Sequence, residues 1–180
     1  MLSYPAGSWA APVQHIAFNQ EQQIQEYELK AVYLYNFLNF IHWPTSPGSE
    51  DLGPMVIGIV GKSPFGNALE ALKVSLEVAG KPTIAIKEFG PYRSGMNLTA
   101  CNLLFISASE TQNFKNIIEE LQQSPVLTVA DTQDFIKAGG MINMIKHEGK
   151  IRWEINRAAT NNANLRVSSQ LLKIAIKTFE

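Results

Sequence analysis

Apolar residues recur at helical spacing between Ile24 and Ile41. Tyr27, Ala31, Leu34, Phe37, Leu38 and Ile41 share one face. Tyr33, Tyr35 and Phe40 widen that face, which predicts a largely buried helix. Trp43-Pro44 ends it, because the residue before a proline is pushed out of the helical region. Thr45 to Pro54 is a loop by composition. Met55 to Val60 is a short apolar run between turn residues and predicts a buried strand. Ser63 suits the cap and Pro64 the first position of a helix, with Phe65, Leu69, Leu72 and Leu76 on one face as far as Gly80. Thr83 to Phe89 alternates as a strand does, and Asn102 to Ser107 predicts another. Ser109 and Gln112 have capping-box spacing ahead of the stripe Phe114, Ile117, Ile118 and Leu121. Pro125 to Ala130 is the next strand. Asp131 suits the cap of a short helix that Gly139-Gly140 ends.

The pattern then changes. Met141 to Lys146 and Ile151 to Ile155 flank His147-Glu148-Gly149-Lys150, a hairpin signature. Ile151, Trp153 and Ile155 face one way; Arg152, Glu154 and Asn156 face the other. Asn156 is placed to cap a short helix through Ala163. Ser168 or Ser169 is placed to cap a last one bearing Leu171, Leu172, Ile174 and Ile176. The predicted class is α/β: a single layered domain with a mostly parallel central sheet, an antiparallel hairpin at one edge and helices on both faces. Residues 24–180 form that domain, and 1–23 are expected to be a disordered or loosely packed tail.

Composition narrows the function classes. Lys and Arg number 15 and Asp and Glu 16, a balance that argues against a nucleic-acid partner and against an acidic disordered chain. At 180 residues the chain buries roughly 70% of its unfolded surface, enough for a core without staples. One cysteine excludes an intrachain disulfide. With His15, His42 and His147 it offers no metal-ligand spacing, so no metal and no cofactor is expected. Met1 to Gln20 lacks the charged start and apolar middle of a secretory signal. Leu29 to Trp43, the most apolar segment, is interrupted by Lys30, Asn36, Asn39 and His42 and is too short for a membrane span of about 20 apolar residues.

Catalytic templates fail one by one. Gly61-Lys62-Ser63 follows a strand and opens a predicted helix, yet Val56 stands where a P-loop needs its first glycine. Lys62 and Ser63 remain candidates for holding an anion at a helix start, with simple capping by Ser63 as the alternative. Gly58 and Gly61 do not make a dinucleotide fingerprint. A phospho-receiver needs a carboxylate cluster, and Asp131 ends its strand alone. No Gly-x-Ser-x-Gly elbow occurs, and Cys101 at the head of an apolar strand reads as a core thiol. The absence of a catalytic set favours binding or regulation.

Four stretches together resemble one family. The first is Lys30-Ala31-Val32-Tyr33-Leu34-Tyr35-Asn36-Phe37 with Phe40-Ile41-His42-Trp43-Pro44. Next come Gly61-Lys62-Ser63-Pro64-Phe65-Gly66 and Cys101-Asn102-Leu103-Leu104-Phe105-Ile106-Ser107. The last links Val126-Leu127-Thr128-Val129-Ala130-Asp131, Gly139-Gly140-Met141-Ile142, Arg152-Trp153-Glu154-Ile155-Asn156 and Leu165-Arg166-Val167-Ser168-Ser169-Gln170-Leu171-Leu172. Their order and spacing over about residues 25 to 178 resemble the YfiR family.

The resemblance implies a periplasmic, non-enzymatic, dimeric regulator. Its best-known kind represses a membrane-bound diguanylate cyclase, so that release raises cyclic di-GMP and favours biofilm. Others occur beside sensor kinases or outer-membrane receptors. The alternative is a small-ligand sensor for a nucleotide or an amino acid. The best-known members also carry redox-sensitive cysteine pairs; here Cys101 has no partner in the chain, and an intermolecular bond would need it exposed. Within the matched motifs the expected ligand residues are Arg152, Asn156, Arg166, Ser168 and Asp131. For Asn156, Ser168 and Asp131 a capping role is the alternative. The aromatic surplus of Tyr33, Tyr35, Phe40 and Trp43 is the expected dimer or partner surface.

Overall fold

The first helix is longer than its apolar periodicity announces. The computed structural model describes residues 11–44 and 53–180, with side chains from residue 20 onward. In it α1 runs Ala11–Phe40. The start at Ile24 is therefore corrected: Gln20, Glu21, Gln22 and Gln23 are good helix formers, and being polar and exposed they leave no apolar signal. Residues 1–10 of the expected tail, and 45–52 of the expected loop, lie outside the described residues.

After α1 come β1 (Ile41–His42), β2 (Met55–Val60), α2 (Ala68–Val78), β3 (Ile84–Gly90), β4 (Leu103–Ile106), α3 (Phe114–Leu121) and β5 (Leu127–Ala130). Then follow β6 (Ile142–His147), β7 (Lys150–Asn156), α4 (Arg157–Asn162), β8 (Arg166–Val167), α5 (Ser169–Ile174) and β9 (Lys177–Phe179). The main sheet has the order β3-β2-β4-β5-β6-β7-β9. It is parallel from β3 to β6, β7 is antiparallel to β6, and β9 is parallel to β7. The predicted α/β class holds, and β9 stands outside the hairpin on that edge. Its residues read as the end of the last helix, but α5 stops at Ile174, Ala175 is extended, and Lys177–Phe179 pairs with β7. The Glu148-Gly149 turn has positive φ at both residues, +49° and +72°, which matches the twist of a two-residue hairpin.

The two faces of the sheet carry separate layers of core. Ile57, Ile59, Leu103, Phe105, Leu127 and Val129 point toward α1 and α2. Val60, Leu104 and Ile106 point the other way, against Phe114, Ile117, Ile118 and Leu121 of α3. β4 is therefore buried along its whole length, as a central parallel strand is. Gly58 admits Cys101 and Phe89 to within 2.8 Å of where a Cβ would stand, so any side chain there displaces the thiol.

Three caps differ from expectation. α2 begins at Ala68, not at Pro64, because Gly61 turns the chain at φ +90° and Phe65 drops into the core against Tyr27 and Phe105. Ser109 is not a helix cap; Ser107 caps a 3-10 turn over Ala108–Asn113, and α3 follows. No helix follows Asp131, because its carboxylate is engaged elsewhere and Asp134 turns the chain at φ +66°. Asn156 and Ser168 do cap, accepting the N–H groups of Ala159 at 3.0 Å and Leu171 at 3.3 Å.

Candidate functional site

Lys30 sits on the buried face of α1, where an ammonium needs partners. Its Nζ lies 2.6 Å from Asp131 Oδ2 and 2.7 Å from Glu26 Oε1. The Tyr27 hydroxyl donates to the same Asp131 oxygen at 2.9 Å. Lys146 on β6 reaches Glu26 at 3.4 Å. Both members of the Lys30–Asp131 pair are more than nine-tenths buried, so its attraction is poorly screened and its loss strands a charge. Burial and the Asp131 carboxylate push the Tyr27 hydroxyl well above its ordinary value, so it stays a donor. Burial works against ionisation of Glu26, yet the hydrogen bonds and charges of Lys30 and Lys146 hold it below the usual carboxylate value. This network fastens the middle of α1 to the carboxyl end of β5.

Beside that network opens a cavity of about 480 Å³. β5 ends at Ala130 while β6 and β7 run on, and the turns from Asp131 to Lys137 form the facing wall. The site falls outside the carboxyl end of a parallel strand, where open α/β sheets commonly take ligands. Asn143 lines it at 4% exposure, and its Oδ1 has no hydrogen-bond partner. Thr132 Oγ1, also on the wall, is likewise buried and unpartnered.

Of the expected ligand residues, Asp131 alone lines this cavity. Arg152 and Asn156 share the face opposite Trp153, as expected, but they do not meet. Arg152 lies by Leu29 and Tyr33 in one groove, and Asn156 by Met141 and Ala159 in another. Arg166 is exposed on β8, paired in register with His42 of β1, in a hollow with Trp43 and Asn164. Ser168 caps α5, and its N–H donates to the Phe40 carbonyl at 2.9 Å. Lys62 and Ser63 lie in a loop, so the helix start on which an anion site there depends is missing. The Lys62 N–H donates to Ser109 Oγ at 2.9 Å and its carbonyl accepts from Ser107 Oγ at 2.7 Å. Tyr33, Tyr35, Phe40 and Trp43 are half-buried against the core. Tyr33 packs edge-on to Trp153 at 5.1 Å, and the Trp43 N–H donates to the Leu38 carbonyl at 3.2 Å.

Sequence reasoning missed Lys30, Tyr27, Asn143 and Lys177. Lys30 had a readable signal: a lone charge inside the arc of Tyr27, Ala31 and Leu34 has to find an acid elsewhere in the fold. Cys101 is buried and donates to the Leu98 carbonyl at 3.1 Å. Burial pushes its thiol up to about 12, so in the folded chain it is neither a nucleophile nor placed for an intermolecular disulfide. Among the described residues no cluster of three His, Cys, Asp or Glu side chains is arranged to hold a metal, and no helix is long and apolar enough to cross a membrane.

Residues 27–176 match the model of a family described as DUF4154, YfiR/HmsC-like. No curated protein matches the chain significantly. Among solved structures it is similar to a conserved domain protein from Vibrio cholerae O1 biovar El Tor strain N16961, with a TM-score of 0.59 and 14% identity. That match covers 84% of this chain and 60% of the Vibrio chain. It is also similar to an ABC domain from Streptococcus pneumonia solved in complex with L-Trp, with a TM-score of 0.51 and 13% identity, covering 69% of this chain and 55% of that one. Both likenesses concern the fold.

Proposed function

Since this chain belongs to the YfiR/HmsC-like family, we propose that it is a non-enzymatic periplasmic regulator that binds and represses a membrane signalling protein such as a diguanylate cyclase. The family is one of periplasmic regulators of cyclic di-GMP signalling, and its model spans nearly the whole folded region; that match carries the reading. The structure adds support in how the motifs meet. Lys30 of the first holds Asp131 of the last, Ser107 of the third holds Lys62 of the second, and β1 pairs with β8. In this reading the protein acts as a homodimer, with Tyr33, Tyr35, Phe40 and Trp43 at the edge of its contact surface, and Leu29 and Val32 of α1 beside them.

The test is capture from detergent-solubilised membranes on the immobilised chain. Recovery of a diguanylate cyclase, sensor kinase or receptor supports the proposal; recovery of soluble metabolic proteins alone contradicts it. A second reading, a small-ligand sensor acting with a sensor kinase or outer-membrane receptor, is favoured by one observation: the cavity of about 480 Å³ beside Asp131, at the carboxyl end of β5.

A further inference from the structure

The side of the molecule where α1 meets α2 leaves apolar groups in water. Ile24 of α1 is 61% exposed, and on α2 Val74 and Val78 are 56% and 85% exposed. A groove of about 670 Å³ opens between Ile24 and Tyr27 of α1 and Phe65, Ala68 and Ala71 around the start of α2. Ala71, Val74 and Val78 recur three and four residues apart, so they form one stripe that continues the groove along α2. Leu69 and Leu76 take the opposite, buried face of that helix. The stripe is therefore not needed by this core. Contiguous apolar surface of this kind marks an association surface.

Charge borders the stripe on both flanks, and it has one sign. Glu21 and Glu28 lie two turns apart on α1, with Ile24 beside them on the groove side. Glu70 and Glu77 hold the same spacing on α2, on the flank of Val74 turned away from the groove. All four are exposed, and none has an ion pair among the described residues. Lys73, the one cation of α2, is half-buried and pairs with neither Glu70 nor Glu77. Like charges around an apolar strip call for a cationic counterpart. A second copy of this chain brings the same carboxylates to a symmetric contact, and an anionic lipid surface is repelled by them. A helix laid in the groove, with apolar side chains three and four apart and Lys or Arg on its flanks, answers both the stripe and the carboxylates.

From this we infer that the groove between α1 and α2 docks a basic amphipathic helix of a partner protein. The apolar face of that helix seats on Ile24, Ala71, Val74 and Val78, and its cations meet Glu28 and Glu70. About three turns of helix match the exposed stretch. This rests on the regulatory reading above and names the element of the partner that it calls for. It does not involve the cavity beside Asp131.

The test is isothermal titration of the full chain with three synthetic peptides of about 18 residues, roughly five helical turns. One carries Leu at helical spacing and Lys on its polar face. The second has Glu in place of Lys, and the third has the first peptide's residues in shuffled order. The basic amphipathic peptide is expected to bind, the acidic one to stay silent, and the shuffled one to bind at least about tenfold more weakly. Val74→Ser with Val78→Ser, and Glu28→Gln with Glu70→Gln, are each expected to weaken that binding about tenfold or more. All four positions are exposed, so both variants should fold like the parent. Binding that survives either double substitution overturns the site. Equal binding of the acidic or the shuffled peptide overturns the inferred partner. Preference for phosphatidylglycerol vesicles over the peptide, or a dimer in light scattering that Val74→Ser with Val78→Ser dissociates, gives the face another occupant and overturns it too. Silence from every peptide at millimolar concentration overturns the docking inference alone. The regulatory reading stands or falls separately, on the cyclic di-GMP response to deletion of the gene.

Discussion

Strands β4 and β7 are buried by different rules. Every residue of β4 is buried, because α1 and α2 cover one face of the parallel half of the sheet and α3 covers the other. β7 alternates: Ile151, Trp153 and Ile155 are buried toward α1, while Arg152, Glu154 and Asn156 stay half-exposed on the far face. A strand covered twice has no side chain free for a ligand. A strand covered once presents a polar row, and the cavity lies where the second cover ends. In this molecule the parallel half is closed on both faces, and the hairpin half leaves one face polar and half-exposed.

That contrast is open to attack at five places. Phe105→Ala empties a fully buried site between Phe65 and the sheet and should cost about 4 kcal/mol in urea unfolding. Ile145→Ala, half-buried in the hairpin, should cost about 1 kcal/mol. Equal losses at the two sites would erase the distinction.

The seam between the halves comes next. Lys30→Met leaves the buried Asp131 carboxylate without its cation and should cost about 3 kcal/mol by the same assay. It should also flatten the acid limb of stability. Because the folded pKa of Glu26 lies below its unfolded value of 4.5, its contribution is present above that value and is lost as pH falls through the lowered one. Melting temperature against pH in the Lys30→Met variant should lose part of that slope, and an unchanged slope would remove the network from the account.

Smaller still is Asn156→Ala, which removes the cap of α4 at the end of β7; a loss of about 1 kcal/mol is expected in thermal or urea unfolding. The least effect belongs to Glu154→Gln. It should change unfolding by no more than about 0.5 kcal/mol, since this carboxylate has no ion pair among the described residues. A large loss there would mean that the polar row is structural.

The same division explains what the sequence made legible. β2 runs over the residues its apolar run predicts, and β4, β5 and the hairpin lie within a residue or two of expectation, because burial on one or both faces leaves a periodic trace. Asn156 and Ser168 were readable as caps because their oxygens have nothing else to bond. Asp131 misled for the converse reason. A carboxylate ahead of a polar stretch looks like a cap until Lys30, far away along the chain, takes it. β9 was hidden because Lys177, Thr178 and Phe179 carry no strong signal and are ordered by pairing with β7. The expected ligand residues scattered because a motif records which residues stay near each other in sequence, while Asn143, Glu154 and Lys177 line one cavity only through strand register.

The regulatory claim itself is tested most directly inside the cell that makes this protein, by measuring cyclic di-GMP after its gene is deleted and again after the chain is restored to the periplasm. The account predicts a rise on deletion and a return to the starting level on restoration. An unchanged level, or a rise that only a cytoplasmic copy reverses, would contradict it.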